Sequence, residues 1–282
     1  MPRLIHLSDL HFGAHEPKLV EAVESRIHEA KPDLVVISGD FTQRARTEQF
    51  KEACRFMTRL KDAGHEVLGV PGNHDVPLYD VLRRFLSPLT RYKRYIDGTL
   101  CPFHELDGAA VLGINTARSL TFKDGRLSTE QIEFIQSTFA KARPKPRILV
   151  THHPLFALPV DDGQALGKAI GRQELALDAI AEAGVDLLLA GHNHRASTHS
   201  ARDLATRAGP ALVIQAGTAT STRLRDEEQS FNLIEVGPGE VVLTVEAWGG
   251  DAFVPRDAGR FVRSGKHWES ATGEHLADAP EA

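Results

Sequence analysis

Two apolar rhythms alternate along the first third of the chain. Short apolar runs, "LIHLS" (4–8), "LVVIS" (34–38) and "EVLGV" (66–70), have the length and β-branched content of buried strands. Between them apolar residues recur every three or four positions. Leu19, Val23 and Ile27 do so in "PKLVEAVESRIHEA" (17–30), and Phe50, Met57 and Leu60 in "TEQFKEACRFMTRLKDAG" (47–64). That spacing gathers them on one helix face, and Gly64 stands where the second helix should stop. Strand–helix–strand alternation predicts right-handed crossovers feeding a largely parallel sheet.

The middle of the chain keeps the pattern. "AAVLGIN" (109–115) reads as a strand, followed by a helix opening at Ser128 with Gln131 as its capping-box partner. "RILVT" (147–151), a helix near 172–183 stopped by Gly184, and "VDLLLA" (185–190) come next. "ALVIQA", "FNLIEV" and "VVLTVEAW" close the series as strands, the last two joined by a "GPGE" turn. This β-rich end predicts a mixed second sheet inside one domain spanning 1–248. Past Trp248 the sequence turns to Gly, Ala and charge, so 249–282 is expected to be a loosely held, partly ordered tail.

Composition narrows the partners. A net charge of −5 over 282 residues gives no reason to expect nucleic acid, whose phosphates attract strongly basic faces. Cys54 and Cys101 are too few and too far apart for a disulfide framework or a thiolate zinc site, which favours a reduced compartment. No apolar stretch approaches bilayer length, and "MPRLIHLSD" reaches polar residues too soon for a secretory signal. The expectation is a cytoplasmic protein with no membrane partner.

Five of the apolar runs end in side chains that bind metals. They deliver Asp9 and His11; Asp40; Asn73, His74 and Asp75; His152 and His153; and His192 and His194. In open α/β sheets ligands gather beyond the carboxyl ends of the strands, so segments distant in sequence aim these groups into one region. Each fragment alone has an ordinary explanation, such as a turn cap or a surface histidine. Five at the same kind of position are another matter, because crowded buried carboxylates and imidazoles need a neutralising cation. Asp, Asn and neutral His suit a borderline or hard transition ion. If "HNH" is extended, His192 and His194 point the same way and can serve two neighbouring ions, with Asp40 as the natural bridge.

In order, "DLH", "GD", "GNHD", "HHP" and "GHNH" resemble the motif series of the calcineurin-like metallophosphoesterases, from Asp9 to His194. "SDLHFG" and "GDFTQRA" look most like the bacterial class III 3′,5′-cyclic-nucleotide phosphodiesterases within that group. The resemblance implies an α/β fold, a four-layer α/β/β/α sandwich of two mixed sheets with helices outside. It implies two transition-metal ions per chain (Fe, Mn or Zn), one held by Asp9, His11, Asp40 and His194. The other would be held by Asp40, Asn73, His152 and His192. His74 would lie beside the scissile phosphate without binding metal, and a homodimer is the implied assembly.

The chemistry expected is hydrolysis of a small-molecule phosphodiester, 3′,5′-cyclic nucleotides first, by in-line attack of a hydroxide held between the two ions. Other small phosphate esters, such as glycerophosphodiesters, are the alternative, and a non-catalytic scaffold the third reading. His74 would steady a phosphoryl oxygen or protonate the departing alkoxide, and Asp75 would orient it or cap a turn. His153 would either support the ligands or pack. Asn115 and Arg118, after the "AAVLGIN" strand, are candidates to reach the substrate, and Arg44 and Arg46 to assist with phosphate. The basic run "LRRFLSPLTRYKRYI" would edge the cleft or be a solvated helix face. Among the other histidines His15 and His199 come nearest to the motif loops.

Overall fold

The computed structural model describes residues 1–121, 124–143, 145–156, 158–159, 165–166, 170–171, 173–200, 211–222, 227–265 and 267–271. The first half runs β1 (Arg3–Leu7), α1 (Pro17–Ala30), β2 (Leu34–Ile37), α2 (Thr47–Asp62), β3 (Val67–Gly69), α3 (Val81–Leu86), α4 (Thr90–Tyr95), β4 (Phe103–Leu106) and β5 (Ala109–Gly113). After these come α5 (Thr129–Lys141), β6 (Arg147–Val150), the short β7 (Leu158–Pro159) and β8 (Ala165–Leu166), α6 (Gln173–Glu182) and β9 (Leu187–Ala190). The chain closes with β10 (Ser197–Ser200), β11 (Leu212–Gln215), β12 (Ser230–Gly237), β13 (Glu240–Trp248), β14 (Phe253–Ser264) and β15 (His267–Ser270).

Among the described residues the strands form two main mixed sheets. The first has the order β15-β14-β13-β12-β1-β2-β3, the second β10-β11-β9-β6-β5-β4. β1, β2 and β3 are parallel, whereas β12 to β15 add on antiparallel. In the second sheet β5, β6, β9 and β11 are parallel, flanked by antiparallel β4 and β10.

Period-two alternation explains the layering. On β1 and β2, Leu4, Leu34 and Val36 face the second sheet, while Ile5, Leu7, Val35 and Ile37 face α1 and α2. On β6 and β9, Ile148, Val150, Leu187 and Leu189 meet the first sheet from the other side, and Leu149 and Leu188 pack under α5 and α6. Strands buried on both faces read as solid apolar runs, which is why they stood out in the sequence. The result is the four-layer α/β/β/α arrangement. No helix among the described residues is long and apolar enough to cross a membrane.

The helices form where the periodicity placed them. Ser128 caps α5, its Oγ accepting from Gln131 N–H at 3.3 Å while Gln131 Oε1 accepts from Ser128 N–H at 3.1 Å. The carboxyl end departs from expectation in two ways. β12 and β13 join the sheet begun by β1 instead of building a second one. The chain beyond Trp248, expected as a loose tail, contributes β14 and β15, which carry Phe261 and Trp268 into the inter-sheet core. β14 was hard to read because most of its side chains face solvent and only Phe253, Gly259 and Phe261 are buried. Trp268→Ala should therefore lower the unfolding free energy by about 3–5 kcal/mol in urea titrations. A change within measurement error would show that β15 adds nothing to the core.

Candidate metal centre

Every candidate donor sits just past the carboxyl end of a strand: Asp9 and His11 after β1, Asp40 after β2, Asn73 and His74 after β3, His152 after β6, His192 and His194 after β9. The loops are laced to one another through the backbone. Asp9 N–H donates to Gly39 O, His11 N–H to Asp40 O, and Gly191 N–H to His152 O, at 3.1, 2.9 and 3.1 Å. Two glycines permit the closest approaches. A Cβ on Gly72 would fall 2.1 Å from Asp40 Oδ1, and one on Gly191 only 1.7 Å from Ser8 Oγ.

Five donors have left-handed backbones: Asp9 (φ 53°), His11 (48°), Asp40 (52°), His192 (73°) and His194 (59°). Non-glycine residues seldom adopt this region, and such strain, about 1–3 kcal/mol per residue, concentrates where geometry serves a site. This corrects the extended reading of "HNH". His192 and His194 diverge because a tight turn holds both in the left-handed region, so their rings do not simply alternate along a strand.

The donor atoms converge in two groups. Asp9 Oδ1 stands 3.5 Å from His11 Nε2 and 3.3 Å from His194 Nε2, and those two nitrogens are 3.4 Å apart. In the other group, Asn73 Oδ1 is 3.1 Å from His152 Nε2 and 3.0 Å from His192 Nδ1, with the two nitrogens 3.3 Å apart. Asp40 Oδ2 lies between the groups, 3.8 Å from His11 Nε2 and 3.4 Å from His152 Nε2. Donors held about 2.0–2.1 Å from a common cation sit roughly this far from one another.

The residues present fit such an ion. Asp9 Oδ1 is buried without a hydrogen-bond partner, although Oδ2 of the same carboxylate accepts from Ser8 Oγ at 2.6 Å and His192 N–H at 3.0 Å. His152 Nδ1–H donates to Ser38 O at 2.8 Å, which leaves Nε2 as the lone-pair nitrogen facing Asp40 and Asn73. Asp9, His11 and His194 could hold one metal ion, and so could Asp9, Asp40 and His152.

Charge is unevenly shared. Burial raises the carboxyls of Asp9 and Asp40, but facing imidazoles, His194 and His11 for Asp9 and His152 and His74 for Asp40, hold both well below the ordinary range. Burial also lowers His152, yet the Asp40 carboxylate outweighs it and lifts that ring to about 9. His192 is pushed down to about 4 by burial and by His152.

The surrounding residues divide. His74 N–H donates to Asp40 Oδ1 at 2.8 Å and its Nδ1–H to Gln43 O at 2.8 Å; its ring meets His11 edge-on at 4.9 Å. Asp75 does not hold the His74 ring. Its carboxylate accepts from Thr42 N–H and Oγ1–H at 2.9 Å each, from Gly72 N–H at 2.9 Å and from Phe41 N–H at 3.2 Å, tying two loops together. His153 packs 4.7 Å from the His192 ring, with Nδ1 2.8 Å from Thr116 Oγ1.

Asn115 and Arg118 engage their own loop and the start of α5. Asn115 Oδ1 closes its own loop on Ala117 N–H at 2.9 Å, and the Arg118 guanidinium is taken by Asn115 O, Ala117 O and Gln131 Oε1. Arg44 reaches Tyr79 OH at 2.5 Å, and Arg46 is exposed at the start of α2. The basic run folds as α3 and α4, with Arg84 buried against the carbonyls of Pro77, Ser119 and Thr121. His15 Nδ1 accepts from Gly13 N–H at 3.1 Å, and the side chain of His199 lies outside the described residues. Sequence reasoning missed the buried polar residues Ser8, Ser38 and Gln215 near the donors. Ser8 and Ser38 lie next to motif residues, which was the available signal.

Comparison with known proteins agrees with this geometry. The chain is 26% identical to a protein of Rhodococcus erythropolis named a probable cyclic nucleotide phosphodiesterase, across 99% of this chain and 94% of that one. It is also 26% identical to the glycerophosphodiester phosphodiesterase GpdQ of Enterobacter lignolyticus, over 75% of this chain and 78% of that protein. A dimetal phosphatase from Danio rerio has the same fold, with a TM-score of 0.63 and 12% identity over 90% of this chain and 99% of that one. Residues 2–196 match the Calcineurin-like phosphoesterase family, and with that span, these motifs and this fold the chain belongs to it: it is a metal-dependent phosphoester hydrolase.

Proposed function

We propose that this protein is a binuclear-metal phosphodiesterase for small phosphodiesters, with 3′,5′-cyclic nucleotides as substrates and 5′-monophosphates as products. The observation that carries the reading is the placement of Asp40 between two donor groups, with the unsatisfied, buried Asp9 Oδ1 in one of them. Asp9, His11, Asp40 and His194 would hold one ion; Asp40, Asn73, His152 and His192 would hold the other. Bound there, iron, manganese or zinc supplies Lewis acidity toward phosphoryl oxygens and makes water nucleophilic at neutral pH.

The chain's own residues do the rest. Ser38 O and Ser8 Oγ fix the presentation of His152 and Asp9. His74, held by Asp40 and by Gln43 O, keeps Nδ1 protonated and offers Nε2 to a phosphoryl oxygen or to the departing alkoxide. The likeness to GpdQ supports glycerophosphodiesters as the second substrate class. Free Cys54 and Cys101 support a reducing compartment, the cytoplasm.

Purified protein reconstituted with manganese should bind two ions per chain and hydrolyse bis(p-nitrophenyl) phosphate. His192→Ala or Asp40→Ala should reduce that rate by at least three orders of magnitude, and full activity in either variant would refute the ligand assignment. On one preparation, 3′,5′-cyclic AMP and GMP should turn over faster than 2′,3′-cyclic nucleotides and glycerophosphocholine. A profile led by glycerophosphocholine would transfer the assignment to the second class.

A further inference from the structure

Each donor group draws on both sheets. Asp9, His11, Asp40 and Asn73 follow strands of the first, and His152, His192 and His194 follow strands of the second. Between the sheets lie mostly aliphatic contacts such as Leu4, Val36, Ile148, Leu189 and Ile234. Such contacts are non-directional, so they favour closeness without fixing register. Metal donors, by contrast, must be placed to within roughly 0.5 Å.

A buried polar chain crosses this interface. Asn232 on β12 of the first sheet donates through Nδ2 to Gln215 O, 2.9 Å away at the end of β11 in the second. Gln215 Oε1 then accepts from Asn193 Nδ2 at 3.1 Å. Asn193 is the residue between His192 and His194, in the turn whose two histidines are left-handed, and its N–H closes on Gly191 O at 2.9 Å. The three side chains are 0%, 1% and 3% exposed for Asn232, Gln215 and Asn193. Gln215 Nε2 is buried without a partner. A glutamine kept in the interior with half its amide unsatisfied is costly, so the contact that accounts for it is the one made by Oε1.

We infer that Asn193 and Gln215 are positioning residues, which lock the "HNH" turn so that His192 and His194 each face their own ion. Gln215 refers that turn to the first sheet through Asn232. The inference rests on the binuclear reading above. Groups that orient metal ligands from behind change metal affinity by about 10–100-fold when removed.

The test is manganese binding by calorimetry, with the electron paramagnetic resonance signature of a coupled manganese pair as a second readout. The variants are Asn193→Leu and Gln215→Met, close to the parent in volume but without the hydrogen bond. Each should weaken at least one of the two binding steps by about 10–100-fold and diminish the coupled-pair signal. Asn193→Asp should stay near the parent, because Gln215 can turn its amide and donate its unpartnered Nε2 to the new carboxylate. Affinities within twofold of the parent for both Asn193→Leu and Gln215→Met would overturn the inference, as would equal losses in Asn193→Asp and Asn193→Leu. If Gln215→Met does not fold, the Asn193 variants carry the test. A parent protein that binds no manganese would instead refute the metal reading itself.

Discussion

Two carboxylates buried at strand ends, Asp9 and Asp40, impose the condition that the rest of this molecule meets. Neither is exposed to water, and both stay ionised because imidazoles crowd against them. The Asp40 carboxylate favours a proton on the facing His152 ring, raising it to about 9 against the effect of burial. That proton and a metal compete for the same lone pair, as expected of a site where binding a metal releases protons. Two divalent ions carry twice the charge that two carboxylates cancel. The filled site is then locally positive in a chain whose net charge is −5. A phosphoester anion would be drawn by this local excess and not by the overall field.

The same carboxylate organises more than metal. Asp40 Oδ2 lies between the donor groups while Oδ1 accepts from the backbone of His74, so one side chain ties both donor groups to the loop that carries His74. Asp75 completes the frame from behind by gathering the N–H groups of Phe41, Thr42 and Gly72. Its own carboxyl is raised to about 6 by burial and by the nearby Asp40, against the pull of those hydrogen bonds. The loops after β2 and β3 therefore behave as one unit.

Much of this was legible in the sequence because the signals are local. A strand covered on both faces is a solid apolar run, a one-sided helix has a period of about 3.6, and metal donors are recognisable by residue type. α1 falls on the very segment its periodicity marked, and Ser128 and Gln131 form the cap their spacing suggested. What escaped was relational. The choice of sheet for β12 and β13 depends on pairing with β1, two hundred residues away, and β14 looks like a tail because its polar face is its outer face. The left-handed turns at Asp9, His11, Asp40, His192 and His194 leave no compositional trace, since none of these residues is glycine. The loop of Asn115 and Arg118 folds onto Gln131 at the start of α5, a pairing with no local signature in the sequence.

Discrimination among phosphodiesters must then come from outside the metal donors, because cations and histidines grip only what all phosphate esters share. The loop after β2 both holds His74 and carries an exposed cation. Gln43 O holds His74, and the next residue, Arg44, reaches the hydroxyl of Tyr79 and lies 5.1 Å from the centre of its ring. Tyr79 is thereby an exposed aromatic ring with a cation against it, a flat polarisable face at the protein surface.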